Sequence, residues 1–171
     1  LLAAGKADEA ERYLLREEKL YGASFHRHAA LADLAYARGR RKEAERRYAA
    51  ALAEPEAAPG GSQAALRPLM EARLEIARSE ESFGRARRSM ERFAEAEAAR
   101  SRGDQGPAVA LFEEAAALDP TNWPALNNAG TILLNQLGDP ARAAALFERA
   151  LPLARSPQVA RNLELALAAR K

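Results

Sequence analysis

Along most of the chain, small and large apolar residues recur at spacings of three and four, which puts them on one face of a helix. Ala44, Tyr48 and Ala51 form one such set; Ala108, Phe112 and Ala115 a second; Ala143, Phe147 and Ala150 a third. Polar and charged residues fill the intervening positions. The pattern predicts helices over 7–19, 24–38, 41–54, 63–80, 83–102, 104–118, 122–137, 140–153 and 157–170. Residues 55–62, Pro-Glu-Ala-Ala-Pro-Gly-Gly-Ser, read as a loop. Pro157 suits the first turn of the last helix, where its missing N–H costs nothing.

The sets repeat in a fixed frame. Gly39, Gly103 and Gly138 are each followed five residues later by Ala, four after that by a large aromatic, and three after that by Ala. Gly5, Ala10 and Leu14 begin the same frame. After Leu118-Asp119-Pro120 comes a run in which Leu126, Ala129, Gly130 and Leu133 share a face. This frame resembles the tetratricopeptide repeat, its first helix at 122–137 and its second in the glycine-led sets. The resemblance implies an all-α fold, a right-handed superhelical solenoid of antiparallel helix pairs, over residues 1–171. Its parts would be a partial repeat 1–20, a repeat 24–55, irregular helices 63–88, repeats 89–120 and 122–155, and a capping helix 157–170. The small residues then mark where helix axes come close, and Tyr48, Phe112 and Phe147 fill the gaps between pairs. The glycines close helices in a left-handed conformation, with Asp104 and Asp139 near the next helix start. Two departures stand out. The stretch from Gly130 to Gly138 is one residue longer than the family pattern, which predicts a distorted turn around Leu137. Between 54 and 104, strict alternation needs one helix or three, and two are predicted; either one is extra or 83–102 breaks near Arg92.

Composition agrees with thin, closely packed helices. Hydrophobic residues are 48% of the 171, but aromatics only 6%, so much of the apolar content is alanine. Runs of Val, Ile, Thr and Tyr that would build a β-sandwich are missing. Arginine dominates the basic side, as in a GC-rich bacterial genome. Yet the net charge is only +2, giving no electrostatic case for nucleic acid. Without cysteine there is no disulfide and no thiolate zinc site. No apolar run reaches the about 18 residues of a membrane span. The compartment stays open, with the cytoplasm as default. The start, Leu1-Leu2-Ala3-Ala4-Gly5, reads as the tail of a helix and a turn, as though cut from something longer.

Candidate chemistry is sparse. His26 and His28, two residues apart, cannot share a metal as an i, i+4 pair can, so neither metal nor cofactor is expected. Ser, Asp and His never converge on a nucleophile motif, and Gly60-Gly61 lacks the residues of a phosphate loop. The basic stretches Arg38–Lys42 and Arg85–Arg88 precede glutamates, and Arg41–Glu45, Glu43–Arg47 and Arg87–Glu91 fit solvated i, i+4 pairs. Trp123 is expected to pack under the preceding repeat.

The family resemblance gives Asn128 and Asn162, one repeat length apart, a further reading: asparagines so placed in related repeats grip the backbone of an extended peptide. The alternative is that they bridge or cap adjacent helices. By the same register Asn127, Thr131, Gln158 and Arg161 face the groove, as do Phe93, Glu97 and Arg100 one repeat earlier and His26, Asp33 and Tyr36 near the N-terminus. Ala30 and Ala94 stand where further asparagines would extend the ladder. The chain is thus expected to be a non-catalytic scaffold binding a protein or peptide. An accessory module of a larger enzyme, such as a hydrolase, sulfatase or glycosyltransferase, is the alternative. Self-association is a third possibility.

Overall fold

The computed structural model describes residues 4–154 and 156–170. Expectations that touch Leu1–Ala3, Arg155 and Lys171 lie outside the described residues. Among those described, nine α-helices follow in order: α1 Ala4–Tyr21, α2 Phe25–Ala37, α3 Arg41–Ala53, α4 Arg67–Arg78, α5 Glu80–Arg102, α6 Gln105–Leu118, α7 Trp123–Asn135, α8 Pro140–Ala154 and α9 Pro157–Ala169. No strand is present among these residues, and none of the helices is long and apolar enough to cross a membrane. The chain divides into two compact units, up to Phe83 and from Gly84 on.

In the second unit, helices pack against their neighbours in the chain, α6 on α7, α7 on α8 and α8 on α9. The small residues of the repeat frame make this possible. Ala108, Ala115, Ala129, Ala143 and Ala150 have no exposed surface, and neither have the rings of Phe112 and Phe147. The closest approach is at Gly130: a Cβ built there would lie 2.7 Å from Cε1 of Phe147. Trp123, half-buried, packs against this core.

The glycine turns behave as the frame requires. Gly39, Gly103 and Gly138 have φ of 71°, 87° and 64°, a left-handed region open to glycine at little cost. After the first two, Arg40 N–H donates to Ala35 O and Asp104 N–H to Ala99 O, a span of five residues, the pairing of a Schellman closure. At the third, Asp139 N–H reaches Leu133 O, a span of six, while Leu137 N–H donates to Ile132 O. The extra residue is absorbed in this wider loop and Leu137 is pushed out to solvent. Asp139 caps α8 by accepting from Arg142 N–H at 3.1 Å. Asp104 makes no such cap; its carboxylate accepts from Arg102 Nε.

In the first unit α1 packs on α2, α2 on α3 and α3 on α4. Two short 3₁₀ turns, Pro55–Ala57 and Ala64–Leu66, occupy the connection before α4. The predicted 63–80 helix is therefore shorter, and Gly5 lies inside α1 rather than in a turn before it. The first unit's core is aromatic. Tyr36 meets Tyr48 and Phe83 edge to face, at ring separations of 6.1 and 5.3 Å.

α5 runs unbroken through Arg92, so the break at that position does not occur. Its buried positions, Phe83, Ala86, Ser89, Ala96 and Ala99, keep one stripe along the whole length. Half-buried Phe93 carries the stripe from Ser89 to Ala96, and no glycine or proline stands there to stop the helix.

The packing yields opposite expectations for two glycines inside helices. Gly130→Ala forces a methyl against the buried Phe147 ring, and overpacking of about 1–3 kcal/mol exceeds the gain in helix propensity of about 1 kcal/mol. Gly84→Ala meets nothing within 4 Å and keeps only that gain. Urea melts should show Gly130→Ala destabilised and Gly84→Ala stabilised; equal effects would refute the close contact.

Candidate functional site

Most of the sequence-predicted groove residues come together on one face of the second unit. They project from α5, α7 and α9. Arg100 Nη2 donates to Glu97 Oε2 at 2.6 Å. Asn128 Nδ2 donates to Glu97 Oε1 at 2.9 Å. Asn127 Nδ2 reaches Asn128 Oδ1 at 3.4 Å, and Asn162 Nδ2 donates to Asn127 Oδ1 at 3.1 Å. Gln158 Nε2 completes the row on Asn162 Oδ1 at 2.8 Å. Thr131 Oγ1 donates back to the Asn127 carbonyl, one turn down α7.

The register of this row differs from the expected ladder. Asn128 bridges to Glu97, whereas Asn162 bridges to Asn127; the two asparagines one repeat apart do not meet. Ala94 is exposed and makes no rung, because the α5 member is Glu97, three residues further along the same helix. Each internal amide donates one hydrogen bond and accepts one within the row. A carboxamide has two donors and a carbonyl with two lone pairs, so each retains capacity for a further partner.

Two predicted members stand apart. Phe93 turns its ring edge onto Phe112, 5.2 Å between centroids, and belongs to the α5–α6 contact. Arg161 is exposed on α9 and takes no part in the row among the described residues.

The three N-terminal candidates are redistributed. Tyr36 is 4% exposed and part of the first unit's core, not a groove residue. Its face is covered by the Arg73 guanidinium, 5.2 Å from the ring centroid. Asp33 accepts from Tyr48 Oη at 2.6 Å and from Arg73 Nη1 at 2.6 Å. Burial pushes the Tyr48 hydroxyl well above its ordinary pKa. Burial also works against the Arg73 charge, but the Tyr48 and Asp33 oxygens outweigh it, and that pKa rises. His26 is exposed, its ring edge on Phe25. His28 lies between carboxylates, 3.8 Å from Glu18 and 3.8 Å from Glu54. Among the described residues no group of three or more His, Cys, Asp or Glu is placed to hold a metal ion.

The stretch Arg38–Lys42 does not form a free patch. Arg38 pairs with Asp8 and Glu11, Arg40 with Glu11, and Lys42 with Glu45. Arg41 lies 3.9 Å from Glu45. It also donates to the Ala77 carbonyl at 3.0 Å, closing the C-terminus of α4. Arg47 pairs with Glu43 as the spacing suggests, but it is 5% exposed rather than solvated. Arg87–Glu91 is not among the ion pairs of the described residues. Arg92 instead contacts Glu95 and Glu114, at the rim of a cleft of about 450 Å³ floored by Ala117 and Leu118.

Sequence reasoning missed a buried polar knot between α5, α6 and the start of α7. Ser89 has no exposed surface; its hydroxyl donates to the Ala115 carbonyl at 2.7 Å and accepts from Asn122 Nδ2 at 2.9 Å. Asn122 Oδ1 caps α7 through Ala125 N–H. Asp119 Oδ1 accepts from both the N–H and the hydroxyl of Thr121. The available signal was a serine standing in the apolar stripe of α5. No family model matches the chain, and no curated protein sequence matches it.

The knot and the row differ in burial, so they should differ in cost. Ser89→Ala removes a hydroxyl with no exposed surface, together with its bonds to the Ala115 carbonyl and Asn122 Nδ2, and should lower stability by about 1–3 kcal/mol. Asn162→Ala, at a half-buried position that water reaches, should cost less than about 1 kcal/mol. Chemical denaturation of the two variants measures this, and the reverse order would contradict the assignment.

Proposed function

We propose that this chain is a non-catalytic scaffold of tetratricopeptide type, and that it binds an extended segment of a protein or peptide along the face of α5, α7 and α9. In this reading the helix pairs wind as a right-handed superhelix and that face lines its concave groove. The observation that carries it is the row of amides from Glu97 through Asn128, Asn127 and Asn162 to Gln158.

The physical case is one of preorganisation. A peptide backbone offers alternating N–H donors and C=O acceptors, and a carboxamide answers both. Side chains already held by their neighbours lose little rotamer freedom on binding, which is a main cost of association. Thr131 sits beside the row, and Arg100 and Arg161 bring positive charge to the same set of helices, favouring a segment of polar or acidic character. Packing of adjacent helices and the recurrent glycine-led frame support the repeat assignment.

Panning a random peptide library on the protein tests the reading. Peptides should be enriched, and the combined variant Asn128→Ala with Asn162→Ala should weaken their binding by at least about tenfold, or about 1.4 kcal/mol. Circular dichroism must show that variant still folded. Failure to enrich any peptide, or unchanged affinity in the folded variant, would remove the proposal.

A further inference from the structure

α1 is attached to the first unit by an unusual kind of contact. None of its described side chains is fully buried. The half-buried positions are Ala7, Ala10, Glu11, Leu14, Glu17 and Glu18, so one large apolar residue and three carboxylates face the rest of the unit. The larger apolar groups, Tyr13, Leu20 and Tyr21, point outward and are 59–70% exposed. The inward face of this helix is therefore mixed, with Ala7, Ala10 and Leu14 beside three carboxylates, and its most exposed apolar side chains add nothing to it.

The seat is made of arginines from α2, α3 and the turn between them. Arg38 pairs with Asp8 and Glu11, and Arg40 also pairs with Glu11. Arg47 holds Glu18 through both terminal nitrogens, the second at 3.0 Å. Arg27 lies 3.7 Å from Glu17 and stands over the Tyr21 ring. Hydrogen bonding to Arg47 holds the Glu18 carboxyl below its ordinary pKa, so that carboxylate is charged in the folded chain. The joint to α2 is the short segment Gly22-Ala23-Ser24, in which Gly22 has φ of 81° and nothing within 4 Å of where a Cβ would stand.

We propose that α1 is an ion-latched helix, which lifts from α2 and α3 as ionic strength rises while those helices stay folded. Lifting takes the α1 carboxylates away from Arg27, Arg38, Arg40 and Arg47, of which Arg47 keeps Glu43 on its own helix. The remainder of the unit does not depend on the latch, because its aromatic core of Tyr36, Tyr48 and Phe83 lies outside α1. Salt acts selectively: the screening length falls from about 10 Å at about 0.1 M to about 3 Å at about 1 M, weakening charge pairs and leaving apolar burial intact.

Hydrogen–deuterium exchange on the full chain, read by mass spectrometry, tests this. From about 0.05 M to about 1 M NaCl, amides of residues 6–21 should exchange roughly tenfold faster, and those of α2 and α3 should change less than about twofold. Glu11→Gln, which removes the charge facing Arg38 and Arg40 at nearly constant shape, should show the faster α1 exchange already at low salt. If α1 exchange is indifferent to salt and to Glu11→Gln, apolar contact seats the helix and the latch is wrong. If α1, α2 and α3 lose protection together, α1 is not a separable element and the latch is equally wrong.

Discussion

Close approach of helix backbones over alanine and glycine is the constraint on which the second unit rests. A buried alanine removes little apolar surface, so each contact stabilises weakly by area. What it provides is proximity. With Ala115, Ala129 and Ala143 fully buried and Gly130 pressed against the Phe147 ring, neighbouring helices sit near enough for short side chains to bridge between them. Glu97 reaches Asn128, and Asn162 reaches Asn127, only because α5, α7 and α9 are held at that spacing. Longer side chains at the small positions would separate the helices and open the row.

The first unit solves the same problem by other means. Its centre is the Tyr36, Tyr48 and Phe83 cluster, with Arg73 laid over one ring and tied to Asp33. Its margins are held by charge, most visibly where Arg47 is buried against Glu18 and Glu43. A buried guanidinium requires such partners, since an unpaired one would be strongly destabilising. The two units thus combine one local plan, helices packed on their neighbours in the chain, with different adhesives.

Much of this was legible in the chain. The three glycine turns and the fully buried small residues follow from spacing, because local geometry is written in local residues, and the looped-out Leu137 follows from the one residue by which its stretch exceeds the pattern it resembles. Six of the twelve residues expected to face the groove, Arg100, Glu97, Asn128, Asn127, Asn162 and Gln158, do meet in one hydrogen-bonded row. What escaped was partnership. Periodicity shows that Tyr36 shares a face, but not that Phe83 and Arg73 cover it. Arg47 reads as a solvated i, i+4 partner until α1 arrives with Glu18. Ser89 looks like an interruption in an apolar stripe, and only the neighbouring Asn122 and the Ala115 carbonyl explain it. The continuity of α5 through Arg92 was legible in the periodicity, which predicts one helix over 83–102; the alternative of a break came only from the family resemblance, and the helix contains no stop signal there.

The account turns on whether the amide row is ordered before any partner arrives. Side-chain amide relaxation by NMR on the free protein measures this for Asn127, Asn128, Asn162 and Gln158. A preorganised row predicts order parameters close to those of rigid backbone, about 0.85, for the three asparagines. Values below about 0.6 for the same groups would mean that the amides rotate freely, and would contradict a face built in advance to receive a peptide.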